Sequence, residues 1–153
     1  MVSKIAFIAS SGGHLEEISQ LKKVAKECDN FLVTEKNSFE VRDFCNRQYF
    51  VPQMNRKERL FLFKFILLFF KAFIILIKER PDVIVTTGAL IAYPFCILEK
   101  VMHGKVIYIE SFARVTEPSL TGKLLHKHAD LFIVQWEDML HYYPDAILGG
   151  GIF

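Results

Sequence analysis

Cysteine is scarce in this 153-residue sequence, and what there is lies scattered: Cys28, Cys45 and Cys96, with no C-x-x-C. That excludes a disulfide scaffold and a zinc ribbon, and it reads as reduced, buried thiols in a reducing compartment. An excess of one charge is missing too. Nineteen Lys and Arg stand against 17 Asp and Glu, a formal +2, so bulk charge does not mark a nucleic-acid binder. There is no internal repeat, low-complexity tract or linker, and at 52% apolar the chain is neither disordered nor collagen-like. The dinucleotide fingerprint G-x-G-x-x-G is absent as well. A signal peptide is only faintly imitated by MVSKIAFIAS. Its apolar core is short, no small-x-small cleavage site follows, and a first β-strand explains it better.

What is present in excess is apolar residues, and they are concentrated. Residues 60–77, LFLFKFILLFFKAFIILI, hold 16 of them and six of the 15 Phe. The remaining positions are about 47% apolar, an ordinary globular value. Along the rest of the chain short apolar runs alternate with helical patterns. Lys4–Ala9, Phe31–Thr34, Tyr49–Val51, Val83–Thr86, Val106–Ile109 and Leu131–Val134 read as strands, and Leu15–Lys26, Lys57–Lys78 and Ala89–Met102 as helices. Strands that are continuously apolar suit a parallel sheet covered on both faces. The expectation is one doubly wound, mostly parallel α/β domain over residues 1–153, with function at the carboxyl ends of its strands.

Three polar segments fall at those ends. Ser11-Gly12-Gly13-His14 follows the first strand and opens a helix, where glycines let a ligand approach and free N–H groups favour phosphate. A tight turn with a helix cap is the plain alternative. His14 can take a proton near neutral pH or merely hydrogen-bond a phosphate. Glu35, near the end of the second strand, sits where a ribose-binding acid would. Thr87-Gly88 follows the fourth strand. After the fifth, Glu110 is placed to bind a sugar hydroxyl and Arg114 to grip a phosphate by its planar fork, unless the segment is simply a loop capped at Ser119 or Thr121. His126, His128 and Asp130 lack the further ligands a metal site needs, so no metal and no cofactor is expected.

Lys57, Lys64, Lys71 and Lys78 recur every seven residues, which on a helix makes one slowly drifting stripe. Nearly every other direction is apolar, far more than one sheet buries. A membrane span would carry Lys64 and Lys71 at its centre. A helix buried between sheet and partner would let its lysines snorkel out. A helix lying in the membrane interface accounts for the stripe, the flanking Arg56, Arg59 and Arg80, and the excess Phe, and is preferred. On that reading Lys57, Lys64, Lys71, Lys78, Phe65, Phe69 and Phe70 contact the membrane.

The segments Ser11-Gly12-Gly13-His14-Leu15, Thr87-Gly88, Glu110-Ser111 with Arg114, Ser119-Leu120-Thr121-Gly122-Lys123 and DLFIVQW (Asp130–Trp136) together resemble one family over nearly the whole chain. It is the bacterial capsular and exopolysaccharide glycosyltransferase subunits of PssD/CpsF type. These are similar to the membrane-anchor subunit of the eukaryotic two-subunit enzyme adding the second N-acetylglucosamine to dolichol diphosphate. The resemblance implies a Rossmann-like amino-terminal half of a GT-B glycosyltransferase that binds a polyprenyl-diphosphate-sugar acceptor at the cytoplasmic face of the membrane. A separately encoded partner then binds the UDP-sugar, and the hexose transferred onto lipid-diphosphate-linked glucose would be galactose. It further implies Ser11, Gly12, Gly13, Thr87, Gly88 and Arg114 at the acceptor diphosphate, and His14 or Glu110 as the base. Ile147, Leu148, Ile152 and Phe153 would hold the partner. The eukaryotic members' amino-terminal anchor has no counterpart in this sequence, which passes membrane attachment to the 57–78 helix. Two rival functions stay open: a membrane scaffold that recruits its partner without contributing a catalytic group, and a small NAD- or flavin-binding protein.

Overall fold

A computed structural model of the chain describes residues 4–36 and 44–153. Its strands and helices alternate as β1 (Lys4–Ile8), α1 (Gly13–Ser19), α2 (Lys22–Ala25), β2 (Asp29–Glu35), β3 (Arg47–Val51), α3 (Phe61–Glu79), β4 (Val83–Thr86), α4 (Ala92–Val101), β5 (Lys105–Ile109), α5 (Leu120–Leu125), β6 (Leu131–Val134) and β7 (Ile147–Leu148), with a 3₁₀ turn over Glu137–His141. The seven strands form one sheet in the order β3-β2-β1-β4-β5-β6-β7, and every pairing is parallel.

Alternate side chains of a strand enter opposite faces, and both faces are covered. Ala6, Ile8, Phe31, Val33 and Ile84 join a core under α3 and α4. Phe7, Leu32, Val85 and Ile109 join a second core with Leu15, Ile18 and Ala25 of α1 and α2. Burial on both sides is why these strands read as unbroken apolar runs. The expected doubly wound parallel architecture is the one observed.

Three helices depart from expectation at their ends. The stretch expected as one helix over Leu15–Lys26 is two. Gln20 and Leu21 bond back only three residues, to Glu17 and Ile18, and Ser19 Oγ turns onto the Glu16 carbonyl at 2.7 Å, an alternative to the helical ladder. The long helix begins at Phe61 rather than Lys57, because Asn55 Oδ1 accepts from the Lys57 N–H at 3.0 Å and holds a turn there. It ends at Arg80 in the left-handed region, φ 48°, just ahead of Pro81. The fourth helix starts at Ala92, after Ala89 takes φ 69°.

Candidate functional site

The loops after β1, β4 and β5 meet at the carboxyl edge of the sheet, around the strand where the winding reverses. Gly12 has φ +81°, a conformation glycine adopts at little cost, and lets the chain turn from β1 into α1. Ser11 fixes this turn to the end of β2 by donating its N–H and hydroxyl to Glu35 Oε2, at 3.2 and 2.8 Å. Glu35 is thus engaged in holding the loop, with Oε1 accepting from the Met54 N–H at 3.2 Å. A side chain at Gly13 would meet nothing within 4 Å, so its approach is open.

His14 is oriented by the loop after β4. Its Nδ1 lies 2.9 Å from the Thr87 carbonyl. A carbonyl can only accept, so Nδ1 carries the proton and Nε2 of the neutral ring is left as an acceptor. Thr87 Oγ1 returns a bond to the His14 carbonyl at 2.9 Å. Gly88, at φ +106°, is packed so closely that a Cβ would come within 2.9 Å of the Tyr108 hydroxyl and 3.5 Å of His14 Cε1. Thr87 and Gly88 therefore set the histidine's position.

His14 and Arg114 line a cavity of about 390 Å³ together with Arg56, Ala89, Leu90, Ser111, Ala113, Ser119, Leu120 and Thr121. Gly13 and His14 also line an adjoining cavity of about 230 Å³ with Glu17, Ser111, Phe112, Ala113 and Phe153. Glu110, expected as a rival base, does not line either cavity. It is 1% exposed, and its carboxylate accepts from the Ser111 N–H at 3.0 Å, the Ser119 N–H at 3.2 Å and the Tyr143 hydroxyl at 3.3 Å. Such a carboxylate organises the β5–α5 loop. Burial, and then the charge of Glu110, push the Tyr108 and Tyr143 phenols up, so both remain neutral.

Glu17 was not expected here, since at the start of a helix it reads as a dipole partner. It is 2% exposed. Its Oε1 accepts from the Phe112 N–H at 2.5 Å and from Gln135 Nε2 at 2.6 Å, its Oε2 from Ser111 Oγ at 3.2 Å. Oε2 also lies 3.8 Å from His14 Nδ1. The only signal available was the i, i+3 spacing from His14, which puts both on one side of a helix.

Ile147, Leu148 and Phe153 are exposed and Ile152 is partly buried. The Ile152 N–H donates to Gln135 Oε1 at 2.9 Å, and the Phe153 ring stands edge-on to Phe112 at 5.3 Å. The segment expected to hold a partner thus reaches the rim of the histidine's cavity.

On α3 the lysine row and the outward apolar face are separate. Lys57 precedes the helix, and Lys64 pairs with Glu58. Lys71 donates to the Phe50 carbonyl of β3 at 2.5 Å, and Lys78 lies 5.4 Å from the Tyr49 ring centre. Burial, then the nearby Lys36 charge, lower the Lys71 pKa. Lys71 and Lys78 therefore lie along the edge of the sheet. Phe65 and Phe69 face Tyr93 of α4, at 6.3 and 6.4 Å between ring centres, so of the three aromatics expected at the membrane only Phe70 points out, 64% exposed. The exposed face is Leu62, Phe63, Ile66, Leu67, Phe70, Phe73, Ile74 and Ile77, without a charge. At 100° per residue these eight cover an arc of about 140°. No helix among the described residues is long and apolar enough to cross a membrane.

Among the described residues no group of three or more His, Cys, Asp or Glu is arranged to hold a metal ion. Asp130 instead meets Lys100 at 2.9 Å and Lys105 at 3.2 Å.

The fold is that of one half of a GT-B glycosyltransferase. It superposes on Acinetobacter baumannii MurG with a TM-score of 0.74 at 16% identity, covering 89% of this chain and 42% of that one. The S. aureus MnaA–UDP structure gives 0.73 at 12%, covering 98% and 45%. The chain belongs to the Alg14-like family of oligosaccharide biosynthesis proteins, whose model matches residues 53–152. Two relatives bear the name UDP-N-acetylglucosamine transferase subunit ALG14. The Homo sapiens protein is 27% identical over 97% of this chain and 82% of its own length. The Candida albicans protein is 31% identical over 92% and 74%.

Proposed function

We propose that this chain, as a single domain, is the acceptor-binding, membrane-associating subunit of a two-subunit glycosyltransferase acting on a polyprenyl-diphosphate-linked sugar. The observation that carries the reading is the cavity holding His14 and Arg114 at the carboxyl edge of the sheet, in a chain whose α3 turns an uncharged apolar face outward. A lipid-borne acceptor needs both: a surface for its chain and a polar cleft for its head. The names of the curated relatives support a UDP-sugar donor, bound by a separately encoded partner that docks on the tail at 147–153.

In this mechanism His14 Nε2 removes the proton from the acceptor hydroxyl as that oxygen attacks the donor's anomeric carbon. The bond to UDP breaks, and the partner stabilises the departing diphosphate. Thr87 holds the ring in the required tautomer, and the Glu17 carboxylate stabilises the imidazolium that forms. Glu110 keeps the Ser111–Ser119 loop in shape. Attachment is peripheral, at the cytoplasmic face, with α3 in the membrane interface. The pathway is capsular or exopolysaccharide synthesis, with galactose as the hexose moved onto lipid-linked glucose. UDP-N-acetylglucosamine, named in the relatives, is the donor to compare with it.

The test reconstitutes the chain with its partner on vesicles and offers a panel of UDP-sugars with a short polyprenyl-diphosphate-sugar acceptor. His14→Ala should lower transfer by roughly 10²-fold or more with partner binding intact. Wild-type turnover in both His14→Ala and Arg114→Ala would refute the active-site reading and leave a recruiting scaffold.

A further inference from the structure

The residue at the site with no role so far is Arg56. Beside a lipid-facing helix its charge reads as one more attraction to an anionic membrane, yet it lines the same cavity as His14 and Arg114. The two arginines come from distant segments, Arg56 from the connection between β3 and α3 and Arg114 from the loop between β5 and α5. Neither guanidinium has a carboxylate within 4.0 Å among the described residues. Among the described residues no Asp or Glu lines the cavity, and its other polar members are an imidazole and the hydroxyls of Ser111, Ser119 and Thr121. Of the nearby carboxylates, Glu17, Glu35 and Glu110 are buried and hydrogen-bonded within the protein, Glu58 is paired with Lys64, and the exposed Glu117 does not line the cavity.

Two unpaired guanidinium groups in such a cavity ask for an anion with more than one charge and several acceptor oxygens. We propose that Arg56 and Arg114 form a clamp for the acceptor's diphosphate, with Arg56 on the phosphate nearer the lipid. The assignment rests on the acceptor reading above. Its polarity follows from sequence: Arg56 stands five residues ahead of Phe61, where α3 begins, whereas Arg114 follows Ser111 in a loop that also borders His14. A diphosphate joins lipid to sugar, so the phosphate beside α3 is the lipid's.

The test is titration of the full-length chain with inorganic pyrophosphate, farnesyl diphosphate and UDP, for wild type, Arg56→Ala, Arg114→Ala and Arg59→Ala. Losing one charge-assisted contact should weaken binding of pyrophosphate and farnesyl diphosphate by roughly tenfold to 100-fold in Arg56→Ala and Arg114→Ala. Arg59→Ala, on the same connection but outside the cavity, should match wild type. With the partner present, Arg56→Ala should raise KM for the acceptor and leave KM for the UDP-sugar unchanged. The clamp is overturned if wild type does not bind pyrophosphate, if Arg56→Ala behaves as Arg59→Ala does, or if UDP is preferred to farnesyl diphosphate. Pyrophosphate binding lost in Arg56→Ala, together with no transfer from any donor by the wild-type pair, would uphold the clamp and sink the glycosyltransferase reading instead.

Discussion

Replacing Gly122 by alanine tests whether the buried polar network behind the site has any slack. Gly122 lies inside α5, and its N–H donates to the capping Ser119 Oγ at 2.9 Å. On an exposed helix the change would stabilise by about 1 kcal/mol, the helix propensity difference. Here the new Cβ would collide with the Glu110 carboxylate and come within 2.9 Å of the Tyr143 hydroxyl and 3.0 Å of Ser119 Oγ. The carboxylate is no loose end. Moving it breaks or stretches its bonds from the Ser119 N–H and the Tyr143 hydroxyl, each worth about 1 kcal/mol at these lengths, and overpacking adds about 1–3 kcal/mol. The net expectation is a loss of about 2–4 kcal/mol. With a urea m-value near 2 kcal/mol/M, typical for small proteins, the unfolding midpoint should fall by about 1–2 M with m unchanged. In a Glu110→Ala background the collision with the carboxylate is gone and only the closer approach to Tyr143 and Ser119 remains, so the same alanine should cost less than in wild type. A midpoint for Gly122→Ala at or above wild type would refute the account of this network.

Two further outcomes follow from groups away from the cavity. Glu99 is buried on α4 beside Gly104, and burial, then the charge of Asp82, push its pKa from 4.5 up to about 7. A raised acid pKa means that the folded state holds its proton more tightly, so this contribution to stability is complete below about 4.5 and is lost as pH rises through about 7. Glu99→Gln stays neutral and should gain on wild type between pH 5 and pH 8 in urea midpoints; parallel midpoints would refute this. On α3, Phe70→Asp with Ile74→Asp alters only exposed side chains and should reduce flotation with anionic vesicles at least tenfold, since each apolar side chain buried is worth about 1.5–3 kcal/mol. Unchanged flotation of a folded double variant would exclude this face as the lipid contact.

The strands were legible because nothing else explains six short apolar runs without alternation, and Val83–Thr86 and Leu131–Val134 match their strands to the residue. The two-residue β7 carried no such pattern. His14 and Arg114 were legible as candidates because each follows a strand, and topology brings strand ends together. The places of Glu17 beside His14 and of Arg56 in the cavity were not, since they depend on where a side chain arrives after the chain has folded. Glu110 shows the converse: a carboxylate at a strand's end suggests chemistry, and only its three donors show that it is fully engaged. On α3 the seven-residue period holds for Lys64, Lys71 and Lys78, while Lys57 falls before the helix, and the period cannot say whether such a row faces lipid or the edge of a sheet.

That row has a consequence for how the helix finds its place. Around α3 the inward Leu68, Ala72, Ile75 and Leu76 and the outward Phe63, Phe70 and Ile74 are chemically alike, so hydrophobicity alone leaves its rotation about its own axis almost undetermined. The contacts of Lys71 with the Phe50 carbonyl and of Lys78 with the Tyr49 ring are lost on a large roll, which leaves an ammonium group without its partner or drives it toward the core. The lysines act as an angular key, selecting which of two equally greasy sides becomes interior and which stays outward.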